Sequence, residues 1–248
     1  MRAALGRAVR LRAAARALPA PPGPDCADRL SRVSRPEHKG DEASLPLQLD
    51  PGTTALLVID LQEKFFEDEE LARCRADLVA TVNGLVAAAQ PAGAAVLEVR
   101  TEHAADRSTW TLDMLRSGTA TLLAGSDEAR RVPELAPIAT GLVKTRDSAF
   151  HGTDLAQRLR TLGVRTLVLV GISTESCIHA TSVDGYAHDF QVVIPHDAVA
   201  SVDWQWHDQA LADLRRKHGQ QVVASERISF TAAPGPNAVS DPIGRPDR

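Results

Sequence analysis

The sequence predicts an α/β fold of three layers, in which helices cover both faces of a six-stranded, mostly parallel sheet of Rossmann-like topology. Short, continuously apolar runs such as residues 54–61 and 166–170 are typical of parallel strands that are covered on both faces. Segments with apolar residues at helical spacing, such as residues 70–90, alternate with these runs, and short turns join them. The alternation predicts right-handed βαβ units, which build a parallel sheet.

The strands and their connecting helices follow one another in chain order. The first strand ends on Asp60, and the helix after it is expected to stop at Pro91 and Gly93. Residues 101–141 contain breaking prolines and are expected to pass over the edge of the sheet. The predicted strands are residues 54–61, 94–99, 141–145, 166–170, 191–195 and 221–224, and the predicted helices are residues 70–90, 154–163, 203–218 and a segment that Cys177 opens.

The chain divides into one globular domain, residues 46–230, and two extensions. Residues 1–45 begin with an arginine- and alanine-rich stretch that has no acidic residue up to Pro24. We expect a disordered or over-long start there, and an organellar transit peptide is the alternative. Residues 231–248 are polar and rich in proline, and they are expected to form a flexible tail.

Composition excludes several classes of partner. With 44% hydrophobic and 24% charged residues the chain resembles a soluble globular protein, and its net charge of -4 offers no basic surface to nucleic acid. No apolar run approaches the ~20 residues that span a bilayer, so no membrane partner is expected. The three cysteines, Cys26, Cys74 and Cys177, lack C-x-x-C spacing, which predicts neither a disulfide framework nor a zinc site and fits a reducing cytoplasm.

Three residues lie at predicted carboxyl ends of strands, where ligands bind in parallel α/β sheets: Asp60, Lys144 and Cys177. The Asp60 carboxylate can take a thiol proton, the Lys144 ammonium can orient that carboxylate, and a helix N-terminus can lower the pKa of the Cys177 thiol. Only four of the 28 basic residues are lysines, which makes a lysine in this position informative. Taken singly, a strand-end acid, an edge lysine and an inert buried cysteine explain the same residues.

Three motifs occur in a fixed order along the chain. They are ALLVIDLQEKFF at residues 55–66, KTRDSAF at residues 144–150 and GISTESCIHATSVDGYAHDFQVVIPHDAVAS at residues 171–201. In order and spacing they resemble the isochorismatase-like cysteine hydrolases, a family that includes N-carbamoylsarcosine amidase and nicotinamidase. The resemblance covers residues 45–229.

The resemblance implies that the carboxylate, the ammonium and the thiol form a catalytic triad that hydrolyses a C–N bond through a thioester. It also implies a cis peptide bond between Ile172 and Ser173 and an oxyanion-binding turn that includes Thr174. The implied substrate is a small amide, carbamoyl or ureido compound. The implied assembly is a dimer or tetramer of identical chains.

No metal or cofactor is expected. Nicotinamidases of the family carry a metal site written Asp-x-His with a further histidine soon after, and the corresponding stretch here has Glu102 and His103 without a second histidine. Two other classes of function are alternatives, and the second of them lacks its expected motif. One is a binding or redox-responsive protein of the same fold, with Cys177 as an oxidisable thiol. The other, a dinucleotide-binding oxidoreductase, needs GxGxxG after the first strand, where LQEKFF stands instead.

Five further residues are candidates for the substrate pocket. The glutamine after the strand-end acid can bond the substrate or support Asp60, and the aromatic rings can line the walls. Ordinary packing is the alternative for most of them. The candidates are Gln62, Phe66, Trp110, Phe150 and His151.

Overall fold

The computed structural model describes residues 46–231 and contains a main sheet of seven parallel strands and a small parallel pair. The strands are β1 Leu47–Leu49, β2 Thr54–Ile59, β3 Ala95–Thr101, β4 Thr140–Lys144, β5 Thr166–Ile172, β6 Gln191–Pro195, β7 Val199–Ala200, β8 Gln221–Val223 and β9 Ile228–Phe230. The main sheet has the order β4-β3-β2-β5-β6-β8, with β7 paired to the end of β5, while β1 pairs with β9. All six predicted strands are confirmed, and the seventh, β7, is too short to give a sequence pattern.

Helices cover both faces of the main sheet, which confirms the predicted fold class. The helices are α1 Glu69–Ala92, α2 Leu112–Ser117, α3 Leu155–Thr161, α4 His179–Ala187 and α5 Trp204–His218. One apolar cluster joins α1 to residues such as Leu56 and Val58 of β2, and a second joins α3 and α5 to Leu57 and Ile59 of the same strand. Successive residues of β2 therefore point into opposite layers.

Helix α1 is defined by caps at both ends. The Asp68 carboxylate accepts hydrogen bonds from the backbone N–H groups of Glu70 and Leu71, at 2.9 and 3.3 Å. At the other end Gly93 adopts a left-handed conformation with φ 90°. The predicted stop at Gly93 is confirmed, and the helix runs two residues beyond the predicted end at residue 90, because Pro91 lies inside the last turn.

The two cysteines in this part of the chain differ in state. Cys74 of α1 takes part in a disulfide, which the scattered cysteines did not predict. Cys177 is a free, buried thiol.

A close backbone approach brings the ends of β2 and β5 together. Gly171 pairs with Ile59 across the two strands and has φ 117°, in the region that favours glycine. A Cβ at position 171 would lie 1.9 Å from the Ile59 carbonyl oxygen. The chain can therefore turn from β5 towards Cys177 only if this residue is glycine.

Gly171→Ala is expected to lower the free energy of unfolding by at least about 3 kcal/mol, because strain and overlap with backbone combine. Gly163→Ala is the matched control, since Gly163 also has a positive φ, 71°, but nothing lies within 4 Å of its added Cβ. Urea unfolding of both variants measures the difference. An equal loss in the two variants would contradict the role of the Ile59 contact.

The sequence predicts a disordered or over-long start and a flexible tail at the two ends of the chain. The predictions for residues 1–45 and for the tail after Thr231 lie outside the described residues. Among the residues that are described, the longest helix is too polar to cross a membrane, and the shorter helices are not candidates either.

Candidate active site

The three residues of the predicted triad meet at the carboxyl ends of the strands. Asp60 follows β2, Lys144 ends β4, and Cys177 follows β5. The Lys144 ammonium lies 2.7 Å from Asp60 Oδ2 and 3.3 Å from Cys177 Sγ. The side chains of Asp60 and Lys144 are fully buried, and Cys177 is 6% exposed. A buried ion pair thus lies directly against a buried thiol.

The thiol is presented by a single helical turn, Thr174–Ile178, that leads into α4. The turn is wider than an α-helix, and the Ser173 carbonyl accepts hydrogen bonds from the backbone N–H groups of Ser176 and Ile178 at 3.2 and 3.1 Å. The peptide bond between Ile172 and Ser173 is cis. The predicted placement of Cys177 in the first helical turn after a strand is therefore confirmed, with a π-type turn in place of an α-type one.

Thr101, at the end of β3, links the two charges of the ion pair. Its hydroxyl accepts a hydrogen bond from the Lys144 ammonium at 2.6 Å and donates one to Asp60 Oδ1 at 3.0 Å. The ammonium contacts the other carboxylate oxygen, so the three side chains form a closed ring of contacts. Sequence reasoning missed Thr101, although it obeys the same strand-end rule that identified Asp60 and Lys144.

Gln62 supports this ring and is not available to a substrate. Its side-chain amide donates to the carbonyl oxygens of Thr101 and Ala129 at 3.0 and 2.8 Å, and its carbonyl oxygen accepts from the Thr101 N–H at 2.9 Å. The residue is fully buried. Of the two roles predicted for Gln62, support of the acid is consistent with the geometry and substrate bonding is wrong, because backbone groups already occupy the amide.

Burial and the neighbouring carboxylate determine the protonation of the site. Burial, assisted by the Asp60 carboxylate, raises the pKa of the Cys177 thiol to about 12, and the Lys144 ammonium offsets only part of this shift. Burial alone would lower the pKa of Lys144. Its contacts with Asp60 and Cys177 act in the other direction and raise this pKa overall. The predicted net lowering of the Cys177 pKa by a helix N-terminus is therefore wrong, because burial and the Asp60 carboxylate raise this pKa.

Hydrogen bonds from Arg146 connect the backbone at Thr109 and Trp110 to the segment that follows β4, beside the triad. Arg146 donates to the carbonyl oxygens of Thr109 and Trp110 at 2.8 and 3.3 Å, while its own carbonyl oxygen accepts from the Lys144 ammonium at 3.2 Å. Trp110 is 7% exposed, and its indole N–H donates to the Ala104 carbonyl at 3.0 Å. Trp110 is thus held near the site, and Arg146, which sequence reasoning missed, holds it there.

The other three pocket candidates lie in three different surroundings. Phe66 packs in the cluster on the α1 face, under the Arg75 guanidinium, and lines a charged cleft to which the triad does not contribute. Phe150 stacks on Phe190 in the apolar cluster on the other face of the sheet, which also contains Cys177. His151 is exposed on the surface. That these side chains line the substrate pocket stays a prediction, and of the three only Phe150 packs in the cluster that contains Cys177.

The residues at the nicotinamidase metal position are engaged elsewhere. His103 is 3% exposed, its Nδ1 lies 2.9 Å from the Thr109 carbonyl oxygen, and burial lowers its pKa. Thr101, two residues earlier, is bound to the ion pair. Within residues 46–231, no three histidine, cysteine, aspartate or glutamate residues are grouped so that they could hold a metal ion.

A buried histidine contacts the turn that carries the thiol. His207 of α5 is 1% exposed, and its Nδ1 lies 2.9 Å from the hydroxyl oxygen of Thr174, which is fully buried. Burial, with a smaller effect of His196, lowers the pKa of His207 to about 4. The folded protein therefore keeps this imidazole neutral.

The neutral state of His207 predicts a loss of stability in mild acid. The unfolded chain takes up a proton near pH 6.5, whereas the folded protein does not until about pH 4, so His207 should cost about 3 kcal/mol of unfolding free energy as the pH falls between these values. Urea unfolding of the wild type and of His207→Phe at pH 7 and pH 4 measures this contribution. The same pH dependence in both proteins would contradict it.

Comparison with known proteins identifies the family. The model of the Isochorismatase domain matches residues 54–227. A ureidoacrylate amidohydrolase from Methylobacterium radiotolerans is 31% identical over 216 residues, which cover 77% of this chain and 83% of that protein. A protein named "Probable inactive nicotinamidase" from Arabidopsis thaliana is 32% identical over 174 residues, which cover 65% of this chain and 88% of its own. The solved structure of an isochorismatase family protein from Desulfovibrio vulgaris has 34% identity and a TM-score of 0.64, over 70% of this chain and 95% of that one.

The family model covers the whole main sheet and the turn that carries Cys177. The predicted enzyme class, a hydrolase of this family, is confirmed by relatives that are named amidohydrolases. The chain therefore belongs to the isochorismatase family.

Proposed function

We propose that the protein is a cysteine-dependent amidohydrolase that cleaves the C–N bond of a small amide, carbamoyl or ureido compound. The observation that carries this proposal is the position of the Lys144 ammonium, 2.7 Å from Asp60 Oδ2 and 3.3 Å from Cys177 Sγ in a buried site. Such an ion pair beside a thiol supplies a base, an electrostatic partner and a nucleophile. Its relatives include a ureidoacrylate amidohydrolase and a maleamate amidohydrolase.

The first half of the reaction forms a thioester. Cys177 Sγ bonds to the substrate carbonyl carbon while its proton passes to the Asp60 carboxylate. Backbone N–H groups of the turn around Ser173 and Thr174 hold the negative oxygen that results, because the first N–H groups of a helical turn have no partner within it. The C–N bond then breaks, and the leaving ammonia or amine takes the proton from Asp60.

The second half restores the thiol. A water molecule gives a proton to Asp60 as its oxygen bonds to the thioester carbonyl carbon, and the C–S bond breaks. The departing thiolate takes the proton back from Asp60, and the carboxylic acid product leaves. Lys144 keeps its positive charge beside the Asp60 carboxylate throughout, and the Thr101 hydroxyl holds the two charged groups in position.

The raised pKa of the thiol makes this proton transfer part of the attack. Burial and the Asp60 carboxylate raise the pKa of Cys177 and so favour the thiol over the thiolate at neutral pH. Deprotonation by Asp60 and bonding to carbon must therefore be coupled. Cys177 therefore attacks as a thiol that Asp60 deprotonates during the attack, and not as a stable thiolate already paired with the Lys144 ammonium.

A second candidate function is a binding or redox-responsive protein of the same fold. The relative named probable inactive nicotinamidase favours it. The burial of Cys177 and its raised pKa weigh against a redox role, since oxidation proceeds through an exposed thiolate. Hydrolytic turnover separates the two candidates.

The test is ammonia release from small amides, carbamoyl compounds and ureides by the purified full-length protein. At least one substrate should turn over, and Cys177→Ser should lower kcat by about 10³-fold or more, because a hydroxyl is a far weaker nucleophile in this geometry. A thermal unfolding midpoint near that of the wild type serves as the folding control for the variant. Turnover that survives Cys177→Ser would contradict the proposed nucleophile.

We also propose that the protein acts in the cytoplasm as a dimer or tetramer of identical chains, as the family resemblance implies. Light scattering coupled to size-exclusion chromatography tests the assembly. A monomer at micromolar concentration would contradict it.

A further inference from the structure

The contact between His207 and Thr174 has no part in the reaction steps above. It joins α5 to the turn that carries Cys177, and both side chains are buried, with the imidazole Nδ1 2.9 Å from the threonine hydroxyl oxygen. Neither residue has a hydrogen bond to the Asp60–Lys144 pair among the contacts of the described residues. Both side chains are therefore available for another role.

The sequence around His207 fixes the imidazole in place. The Asp203 carboxylate caps α5 by accepting from the N–H groups of Gln205 and Trp206, and the Asp203 carbonyl accepts from the His207 N–H at 3.0 Å. The Trp204 ring packs against the imidazole, with centroids 4.9 Å apart. The first turn of α5 thus holds the ring against the Thr174 hydroxyl.

The His207 imidazole is suited to holding the Thr174 hydroxyl in place and not to transferring a proton. Burial lowers its pKa to about 4, so it stays neutral at the pH at which the reaction is proposed to run. Its second nitrogen, Nε2, is buried and has no hydrogen-bond partner within residues 46–231. Because a hydroxyl can donate or accept, the bond to Thr174 persists in either neutral tautomer.

We propose that His207 is a positioning residue of the proposed amidohydrolase, which fixes Thr174 and thereby the turn whose N–H groups hold the oxyanion and whose Cys177 attacks. This inference rests on the proposed function. The turn Thr174–Ile178 is a single turn with a π-type hydrogen-bond pattern, and Thr174 is its first residue. A side-chain anchor on the first residue therefore sets the direction of the N–H groups and of Sγ together, and small displacements there are costly to the rate.

The test compares three variants that remove the bond while keeping shape. His207→Phe keeps a ring without nitrogen, Thr174→Val keeps the branched side chain without hydroxyl, and the third variant combines both. Each single variant should lower kcat by about tenfold or more with KM changed less than about twofold. The combined variant should be no slower than the slower single variant, because both substitutions remove the same contact.

Two further variants separate positioning from general stability. Leu214→Ala truncates a different fully buried side chain of α5, two helical turns from His207, and it should leave kcat per folded protein unchanged. His207→Asn, whose amide can reach the place of Nδ1, should recover most of the kcat that His207→Phe loses. Additive effects, an equal fall of kcat in Leu214→Ala, or no fall in either single variant would overturn the proposal.

The alkylation rate of Cys177 gives a readout that needs no substrate. Iodoacetamide at pH 9 should modify Cys177 at least about threefold faster in His207→Phe and in Thr174→Val than in the wild type, because a released turn exposes the thiol. Leu214→Ala should leave the rate at the wild-type value. If the wild type hydrolysed no amide, the proposed function would fail. Unchanged alkylation in both single variants would instead refute the positioning role, whatever the activity.

Discussion

Asp60→Asn is expected to lower kcat by about 10⁴-fold and, at the same time, to make Cys177 more reactive towards iodoacetamide at neutral pH. The loss of turnover follows because an amide cannot take the thiol proton. The gain in alkylation follows because the Asp60 carboxylate helps to raise the pKa of Cys177 to about 12, and its removal leaves the Lys144 ammonium as the nearest charge. We expect alkylation at pH 7 to rise by at least about tenfold.

Asp147→Asn is the matched control for this experiment. Asp147 is exposed and also raises the pKa of Cys177, but its effect is smaller than those of burial and Asp60. It takes no part in the ion pair. Its substitution should change kcat and the alkylation rate by less than about threefold. Alkylation that slows or stays constant in Asp60→Asn would contradict the assigned charges of the site.

Lys144→Met is expected to lower the free energy of unfolding by about 3–5 kcal/mol and to abolish detectable turnover. The substitution leaves Asp60 without its partner in a fully buried place, and an uncompensated buried charge is strongly destabilising. It also removes the positive charge that lies against both the base Asp60 and the nucleophile Cys177 in the proposed mechanism. Urea unfolding and ammonia release measure the two effects separately.

The double variant Asp60→Asn/Lys144→Met separates the two losses. Because both charges are removed together, most of the stability should return, while turnover stays lost. Lys64→Met is the surface control: Lys64 pairs with Glu67 at 2.7 Å, but the side chains are 34% and 60% exposed, so the cost should stay within about 1 kcal/mol. A surface control as costly as Lys144→Met would contradict the role of burial.

The strand-end rule is what made the site predictable from the sequence. It selected Asp60, Lys144 and Cys177 because parallel strands bring their carboxyl ends to one edge. It stopped short of Thr101, since the second strand was predicted at residues 94–99 and β3 runs on to Thr101. The charged residues Glu98 and Arg100 interrupt the apolar run there, and they face the Arg131 and Glu102 side chains. A strand with one charged face therefore looks shorter than it is.

The direction and burial of individual side chains could not be predicted from the pattern of apolar and polar residues. Phe66 lies in a short 3-10 turn, Glu63–Glu67, whose geometry decides which of two adjacent phenylalanines enters the core. The sign of the Cys177 pKa shift depends on how completely the folded chain excludes water, because a helix turn lowers this pKa while burial and Asp60 raise it. His207 gave no signal, since one histidine among the polar residues of α5 is indistinguishable from a surface residue.

The most direct test of the central claim is the mass of the protein after acid quenching during turnover of the best amide substrate. The proposed mechanism predicts an added acyl group on the peptide that contains Cys177, removable by hydroxylamine as a thioester should be. The same quench of Cys177→Ser should give no thioester adduct, and product should form at least about 10³-fold more slowly. An acyl group on any other residue, or product formation as fast without Cys177 as with it, would contradict the assignment of Cys177 as the nucleophile.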